Sequence, residues 1–331
     1  MVNRFLTVSI AFIWIVALSP CLSAQPTVPR GGAPWGNRGP RTSPPKVIAQ
    51  RDGQPYTASD FNDCKPGLPT LIMAGDSTAT TGSDAWHRGW FAPMIDYFDT
   101  DKINLVNRAR GGRSFRSFLR EGLWDELVAN LKPGDIVLIQ FGHNDGGDVQ
   151  SPMGRADLPG MGEETEDVER KQPDGTTFTE RVHTFGWYAR KYVRDVKAKG
   201  AIPVLLSVTP YGVFNQEGNI GRPTNNGRLG NNMFIWIRQI AQEEKVPWLD
   251  AGGAIADSFQ RLGRDGIRPF FQADPLHTTT FGATNNCEAL IGAIKAMPEL
   301  GLEPYLNDNG KAISKWVPST AALAVQKEMQ P

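Results

Sequence analysis

Four short segments of this chain carry side chains suited to acyl transfer. The first is Ala74-Gly75-Asp76-Ser77-Thr78. A hydroxyl nucleophile needs a tight turn that exposes its oxygen, and backbone N–H groups to receive the developing oxyanion. Gly75 permits that turn, although Gly-Asp-Ser also makes ordinary turns and helix caps. The second segment runs from Asn107 through Ala109-Arg110-Gly111-Gly112-Arg113-Ser114. Paired glycines let a backbone N–H face a pocket with no side chain in the way. Ser114 suits the N-cap of a following helix, and the two roles are compatible.

The third segment is Gln140-Phe141-Gly142-His143-Asn144-Asp145. Asn144 can present its amide as a further oxyanion donor. His143 reads as structural, because a general base needs an orienting carboxylate and a better pair exists. That pair is Asp274-Pro275-Leu276-His277. Pro275 breaks regular structure, so the four residues form a turn in which Asp274 can position the imidazole three residues on. Alone, each segment has a plain reading as a turn or cap. Their occurrence together, in one order, makes chance assembly improbable.

The elements that must hold these segments are legible as short apolar runs bounded by Gly, Pro and Asp. Strands are expected at Leu71–Ala74, Ile103–Val106, Ile136–Phe141, Ile202–Val208 and Val246–Leu249. Helices are expected at Ala92–Phe98, Leu123–Leu131, Tyr188–Lys199, Asn232–Glu244 and Thr280–Ala296. Such alternation predicts βαβ units and a doubly wound parallel sheet. Three of the chemical segments then fall at strand ends on one edge, and the fourth precedes the last helix. Residues 146–180 break the pattern: polar, Gly/Pro-rich and acidic from Glu163 to Glu169, they read as a long loop beside the ligand-binding edge. The tail after Leu302 is weakly patterned and reads as a strapped or loose extension.

With these residues in view, the chain resembles the SGNH (GDSL-type) hydrolases over roughly residues 68–297. Gly75-Asp76-Ser77, Gly112, Gly142-His143-Asn144-Asp145 and Asp274-Pro275-Leu276-His277 are similar to the four blocks of that class. Within it the chain looks most like the rhamnogalacturonan acetylesterases. Arg88-Gly89-Trp90, Gly112-Arg113-Ser114, Gly146-Gly147, Lys199-Gly200-Ala201 and Ser207-Val208-Thr209-Pro210 add to that likeness. The resemblance implies a flavodoxin-like α/β/α sandwich on a five-stranded parallel sheet. It also implies Ser77 as nucleophile, His277 as base, Asp274 as its orienting acid, and an oxyanion hole from Ser77, Gly112 and Asn144. No metal or cofactor is implied, and the partner implied is an acetylated polysaccharide.

A pectic substrate is a polyanion, and the acidic 146–180 segment would repel it unless arginines compensate. Arg110, Arg113 and Arg116 are the candidates, with solvation, or bracing of the loop by Arg113, as the plain reading. The same chemistry would serve acetylated xylan or a small ester. A silent glycan-binding protein would be expected to lack part of the site, whereas Ser77, Asn144, Asp274 and His277 are all present. An α/β-hydrolase is disfavoured, since no Gly-x-Ser-x-Gly surrounds Ser77.

Lys+Arg and Asp+Glu are equal at 35 each in 331 residues. No charge field therefore favours nucleic acid or a membrane surface. Nine tryptophans allow stacking on sugar rings, though most are expected in the core. Arg4, the apolar run Phe5–Leu18, Pro20 and Ser23-Ala24 have the order of an export signal over 1–24. The run is shorter than the roughly 20 residues a spanning helix needs, so export and release without stable membrane association are expected. A Pro/Gly-rich disordered linker over 25–64, a hydrolase domain over 65–300 and an extension over 301–331 complete the expected organisation. With Cys21 in the signal, Cys64 and Cys287 remain, either as one disulfide or as two buried thiols.

Overall fold

The computed structural model describes residues 48–49, 55–56, 60–82, 87–172, 174–222 and 232–328. The expected signal over 1–24 and most of the expected linker lie outside the described residues. Within 25–64, β1 (Ile48–Ala49) and β2 (Pro55–Tyr56) pair antiparallel. Residues 60–64 are built into the fold: Asp60 caps a 3-10 turn at Phe61–Asp63, and Phe61 and Cys64 pack against the apolar core.

The first strand of the main sheet, β3 (Thr70–Gly75), is buried along its whole length. Its side chains alternate between faces, which is the strand period. Leu71 and Met73 enter one core cluster, Ile72 and Ala74 the other. β4 (Asn104–Asn107), β5 (Ile136–Gln140), β8 (Ile202–Leu206) and β9 (Trp248–Leu249) complete the sheet. All pair in parallel, in the order β4-β3-β5-β8-β9. Counted by appearance this is second-first-third-fourth-fifth, the flavodoxin-like order, which reverses direction between β3 and β5.

Both faces are covered, as a parallel sheet requires. One face packs on α1 (Phe115–Arg120), α2 (Leu123–Ala129), α3 (Phe185–Ala198) and α4 (Met233–Glu243), through residues such as Phe118, Trp124, Tyr192 and Ile237. The other packs on α5 (Ala251–Gly266) and α6 (Thr280–Lys295) through Ile255, Phe259, Leu290 and Ile291. Each large apolar side chain fully buried here stabilises the fold by about 1.5–3 kcal/mol. The result is an α/β/α sandwich. Cys64 and Cys287 are both free thiols, and they belong to opposite faces of the sheet.

Several expected elements differ. Ala92–Phe98 is a 3-10 turn over Ala92–Asp96, with Pro93 in its first turn. The final strand pairs only at Trp248–Leu249. Helix α5 was not legible because its start is Gly252-Gly253. Those glycines follow from the cap: Asp250 Oδ1 accepts from the Gly253 N–H at 2.9 Å, and a Cβ there would lie 2.3 Å from the carboxylate.

The largest departure is in residues 146–180, where the acidic stretch is a strand. β6 (Thr165–Lys171) and β7 (Thr177–His183) form an antiparallel hairpin in register from Thr165↔His183 to Lys171↔Thr177. Only Val168 and Val182 turn fully inward, onto Val149 and Ala156, so each strand offers a single core residue and no alternating run. The hairpin is fastened through Glu180. Arg116 grips it bidentately at 2.9 and 2.7 Å, and Arg120 and Arg170 close on the same carboxylate. Burial pushes Glu180 up, but Arg116 and Arg120 hold it below the usual carboxylate range. Removing Glu180 would leave the fully buried Arg116 uncompensated, at a cost of about 3–5 kcal/mol.

The chain beyond Leu302 is strapped to the body through α7 (Asp308–Ala312) and α8 (Thr320–Glu328). Asn307 Nδ2 donates to Asp96 O and Phe98 O, while Trp316 Nε1 and the Ser319 N–H donate to Asp257. Among the described residues no helix is long and apolar enough to cross a membrane.

Candidate active site

The carboxyl ends of β3, β4 and β5 open together at the point where the strand order reverses, the place at which open α/β sheets bind ligands. Ser77 sits in the turn leaving β3. Gly75 is required there, since a Cβ would lie 2.6 Å from Met73 and 2.9 Å from Gln140 O. The buried Asp76 closes the turn by accepting from the Thr78 N–H and Oγ1, each at 2.8 Å. Behind it Gln140 ties the strand ends together. Its Oε1 accepts from Trp90 Nε1 at 2.8 Å, and its Nε2 donates to Ser207 O at 2.8 Å.

Ser77 Oγ lies 2.8 Å from His277 Nε2, and His277 Nδ1 lies 2.7 Å from Asp274 Oδ2. These residues, 200 positions apart, form one hydrogen-bonded chain. The Asp274-Pro275-Leu276-His277 turn is held by Asp274 Oδ1, which accepts from the Leu276 and His277 N–H groups at 2.7 and 2.8 Å. Burial raises the Asp274 pKa, but the hydrogen bonds from His277 and the backbone outweigh it and leave the carboxyl below its usual range. Asp274 is therefore ionised at neutral pH and fixes a proton on Nδ1, leaving Nε2 to accept from Ser77.

The Gly-rich loop after β4 lies against this serine. A Cβ on Gly111 would sit 3.7 Å from Ser77 Cβ, and Gly112 adopts φ +75°, which favours glycine. Among the described residues neither the Ser77 nor the Gly112 N–H finds a protein acceptor. Asn144, beyond β5, donates from Nδ2 to Arg113 O at 3.1 Å. The arrangement places a serine hydroxyl, an imidazole, a carboxylate and backbone N–H groups around one opening.

The model of the GDSL-like lipase/acylhydrolase family matches residues 73–284. This chain belongs to that family. It is 32% identical over 229 residues to a rhamnogalacturonan acetylesterase of Emericella nidulans, spanning 68% of this chain and 84% of the relative. It is 27% identical over 240 residues to a probable rhamnogalacturonan acetylesterase of Bacillus subtilis, spanning 70% and 94%. The crystal structure of Bacillus subtilis YxiM superposes with a TM-score of 0.53 at 22% identity, covering 71% of this chain and 58% of that one, and supports the fold. As a GDSL-family member the protein is a carboxylic ester hydrolase.

The three arginines expected near the esterase's substrate separate. Arg116 is withdrawn from that role: it is buried, spending its guanidinium on Glu180, Val149 O and Ala156 O. Arg113 braces the loop, donating to Glu121 and to Gly111 O. Arg110 is partly buried beside Gly111 and makes no ion pair among the described residues. His143 is structural in its surroundings, with Nε2 3.1 Å from Thr209 Oγ1 and its edge toward Tyr211. Burial pushes its pKa down.

Three further residues shape the site. His87 stands edge-on to His277 with ring centroids 5.2 Å apart, and with Asp274 and His277 it offers ligand atoms within 4.8 Å of one another. A cation could use them only by competing with the serine-histidine chain. Arg88 fixes the segment just after His277, its N–H donating to Thr278 O at 2.8 Å and its carbonyl accepting from Thr278 Oγ1 at 2.6 Å. Arg155 lies behind Asn144, with Nη1 3.0 Å from Asn144 Oδ1 and 3.4 Å from Gly112 O. No spacing in the sequence marks His87 or Arg155.

Asp145 and Asp157 form a buried pair beneath the site. Burial pushes Asp145 up to about 7, opposed by the Phe115 N–H that donates to it and reinforced by Asp76. Asp157 is raised by burial and then by Asp145. A carboxyl with a raised folded pKa keeps a proton that the unfolded chain releases. Its stabilising contribution is full below the unfolded pKa near 3.8 and is lost as pH rises through about 7. The Tm of the wild type therefore falls between pH 5 and pH 8, whereas Asp145→Asn, which mimics the protonated form, loses most of that slope. Equal slopes in scanning calorimetry would contradict a buried Asp145 that keeps its proton.

Proposed function

We propose that this esterase removes acetyl groups from a plant cell-wall polysaccharide, rhamnogalacturonan or a related pectin, by a Ser-His-Asp acyl-enzyme route, and works after export. The observation that carries the chemistry is the unbroken chain from Ser77 Oγ through His277 to Asp274 at 2.8 and 2.7 Å. In this reading Ser77 Oγ bonds to the acetyl carbon as its proton passes to His277 Nε2. The carbonyl oxygen becomes an oxyanion, held by the N–H groups of Ser77 and Gly112 and by Asn144 Nδ2. Collapse breaks the bond to the sugar oxygen, which takes the proton from His277 and leaves acetyl-Ser77. Water then attacks the acetyl carbon, His277 takes its proton, and acetate departs as Ser77 Oγ recovers one.

The substrate reading draws on the names of two relatives and on Arg110. Burial, and then the charges of Arg113 and Arg108, hold the Arg110 pKa below its usual value. A partly buried guanidinium short of a counter-ion is suited to a uronate carboxylate. Export is supported by the apolar run Phe5–Leu18 followed by Ser23-Ala24.

Acetate release from acetylated rhamnogalacturonan, pectin, xylan and a neutral aryl acetate tests this reading. The wild type is fastest on the rhamnogalacturonan. Arg110→Gln slows the pectic substrates by about 2–5-fold, most at low salt where exposed charge pairs are least screened, and leaves the aryl acetate unchanged. A wild type fastest on xylan, or equal losses on all substrates for Arg110→Gln, would overturn the substrate assignment.

A further inference from the structure

An oxyanion donor on a side-chain amide carries a specific weakness. An Asn amide turned by half a rotation has nearly the same shape, yet it points a lone pair where a donor is needed. Asn144 can serve Ser77 only if something fixes which end faces the opening. Two contacts do so. Arg113 O accepts from Nδ2 at 3.1 Å, and Arg155 Nη1 donates to Oδ1 at 3.0 Å. A guanidinium has donors and no acceptor, so a turned amide would set NH2 against N–H. The same Nη1 reaches Gly112 O at 3.4 Å. One nitrogen thus touches both the loop after β4 and the loop after β5.

The segment that delivers Arg155 is itself stitched to these loops. Arg155 O accepts from Ser114 Oγ at 2.6 Å, Ala156 O accepts from Arg116 Nη1 at 2.6 Å, and the Asp157 N–H donates to Asp145 O at 2.7 Å. Behind this lies the β6–β7 hairpin, fastened by Glu180. A cation on Oδ1 also polarises the amide and strengthens Nδ2–H as a donor.

We propose that Arg155 is a positioning residue of the esterase, holding the Asn144 amide in the geometry that receives the oxyanion, and that the 146–180 segment exists in part to supply it. This rests on the assignment of Asn144 as an oxyanion donor. Because Arg155 acts through that amide, its loss falls on turnover and not on substrate binding.

The test is a double-mutant cycle on the full chain with a neutral aryl acetate, using Arg155→Met, Arg155→Lys, Asn144→Ala and Arg155→Met/Asn144→Ala. Arg155→Met lowers kcat by about 10–100-fold, less than the about 10²–10³-fold of Asn144→Ala, with KM within about twofold. Arg155→Lys, which keeps one charged donor, falls between Arg155→Met and wild type. In the Asn144→Ala background Arg155→Met costs no more than about twofold. Additive losses, or a loss confined to KM, would overturn the proposal by placing Arg155 on the substrate. Wild-type kcat in Arg155→Met beside a crippled Asn144→Ala would overturn it alone. Wild-type kcat in Asn144→Ala would overturn the oxyanion assignment beneath it.

Discussion

Ser77→Ala lowers acetate release by roughly 10⁴–10⁶-fold while unfolding at the wild-type temperature, within about a degree. The turn around Ser77 does not depend on its hydroxyl. It is held by Gly75, by the Asp76 carboxylate and by Ala79 and Thr80 N–H groups donating to Asp76 O. What Oγ contributes is the single 2.8 Å contact to His277 Nε2 and, on the proposed route, the electron pair that attacks the ester. Residual activity would come from the oxyanion donors alone. A folded Ser77→Ala protein keeping a tenth of wild-type turnover would place the nucleophile elsewhere.

His277→Ala produces a loss of similar order, and the comparison with His143→Ala gives it meaning. His277 spans Ser77 and an ionised Asp274, so on the proposed route its removal takes away both base and proton donor. His143 is kept neutral by burial and spends Nε2 on Thr209. His143→Ala opens a cavity and costs about 1–3 kcal/mol of stability, with kcat of the folded protein within about fivefold of wild type. Denaturant unfolding and steady-state kinetics on both variants separate the two roles. A dead, fully stable His143→Ala beside an active His277→Ala would exchange the assignments.

The parts of this architecture that could be read in the sequence are those with a strong local cause. The parallel strands are short apolar runs because both their faces are buried. Ser77, Asn144 and the Asp274-His277 turn stand at strand ends or before a helix, where a polar residue in such a pattern is conspicuous. The hairpin was obscured because β6 and β7 bury one residue each, Val168 and Val182. Only Asp174-Gly175, a hairpin-turn pair, pointed to it.

Arg116 misled for a different reason. Its neighbour in sequence, Arg113, braces the loop, but Ser114 caps α1 and the first helical turn carries Arg116 inward to Glu180, 64 positions away. A buried ion pair across that separation has no period and no spacing to betray it. Arg155 is hidden likewise: it lies in a Gly/Pro-rich stretch, and its meaning comes only from the two loops that meet around it.

The central claim is that Ser77 is the atom that takes the acyl group, with its reactivity set by His277. Treating the protein with an aryl-ester-like fluorophosphonate and mapping the modified peptide by mass spectrometry tests this most directly. The account predicts one phosphonyl group per chain, on Ser77, abolished in Ser77→Ala and slowed by about 10³-fold or more in His277→Ala. Stoichiometric labelling of another residue, or labelling of Ser77 at an unchanged rate without His277, would contradict it.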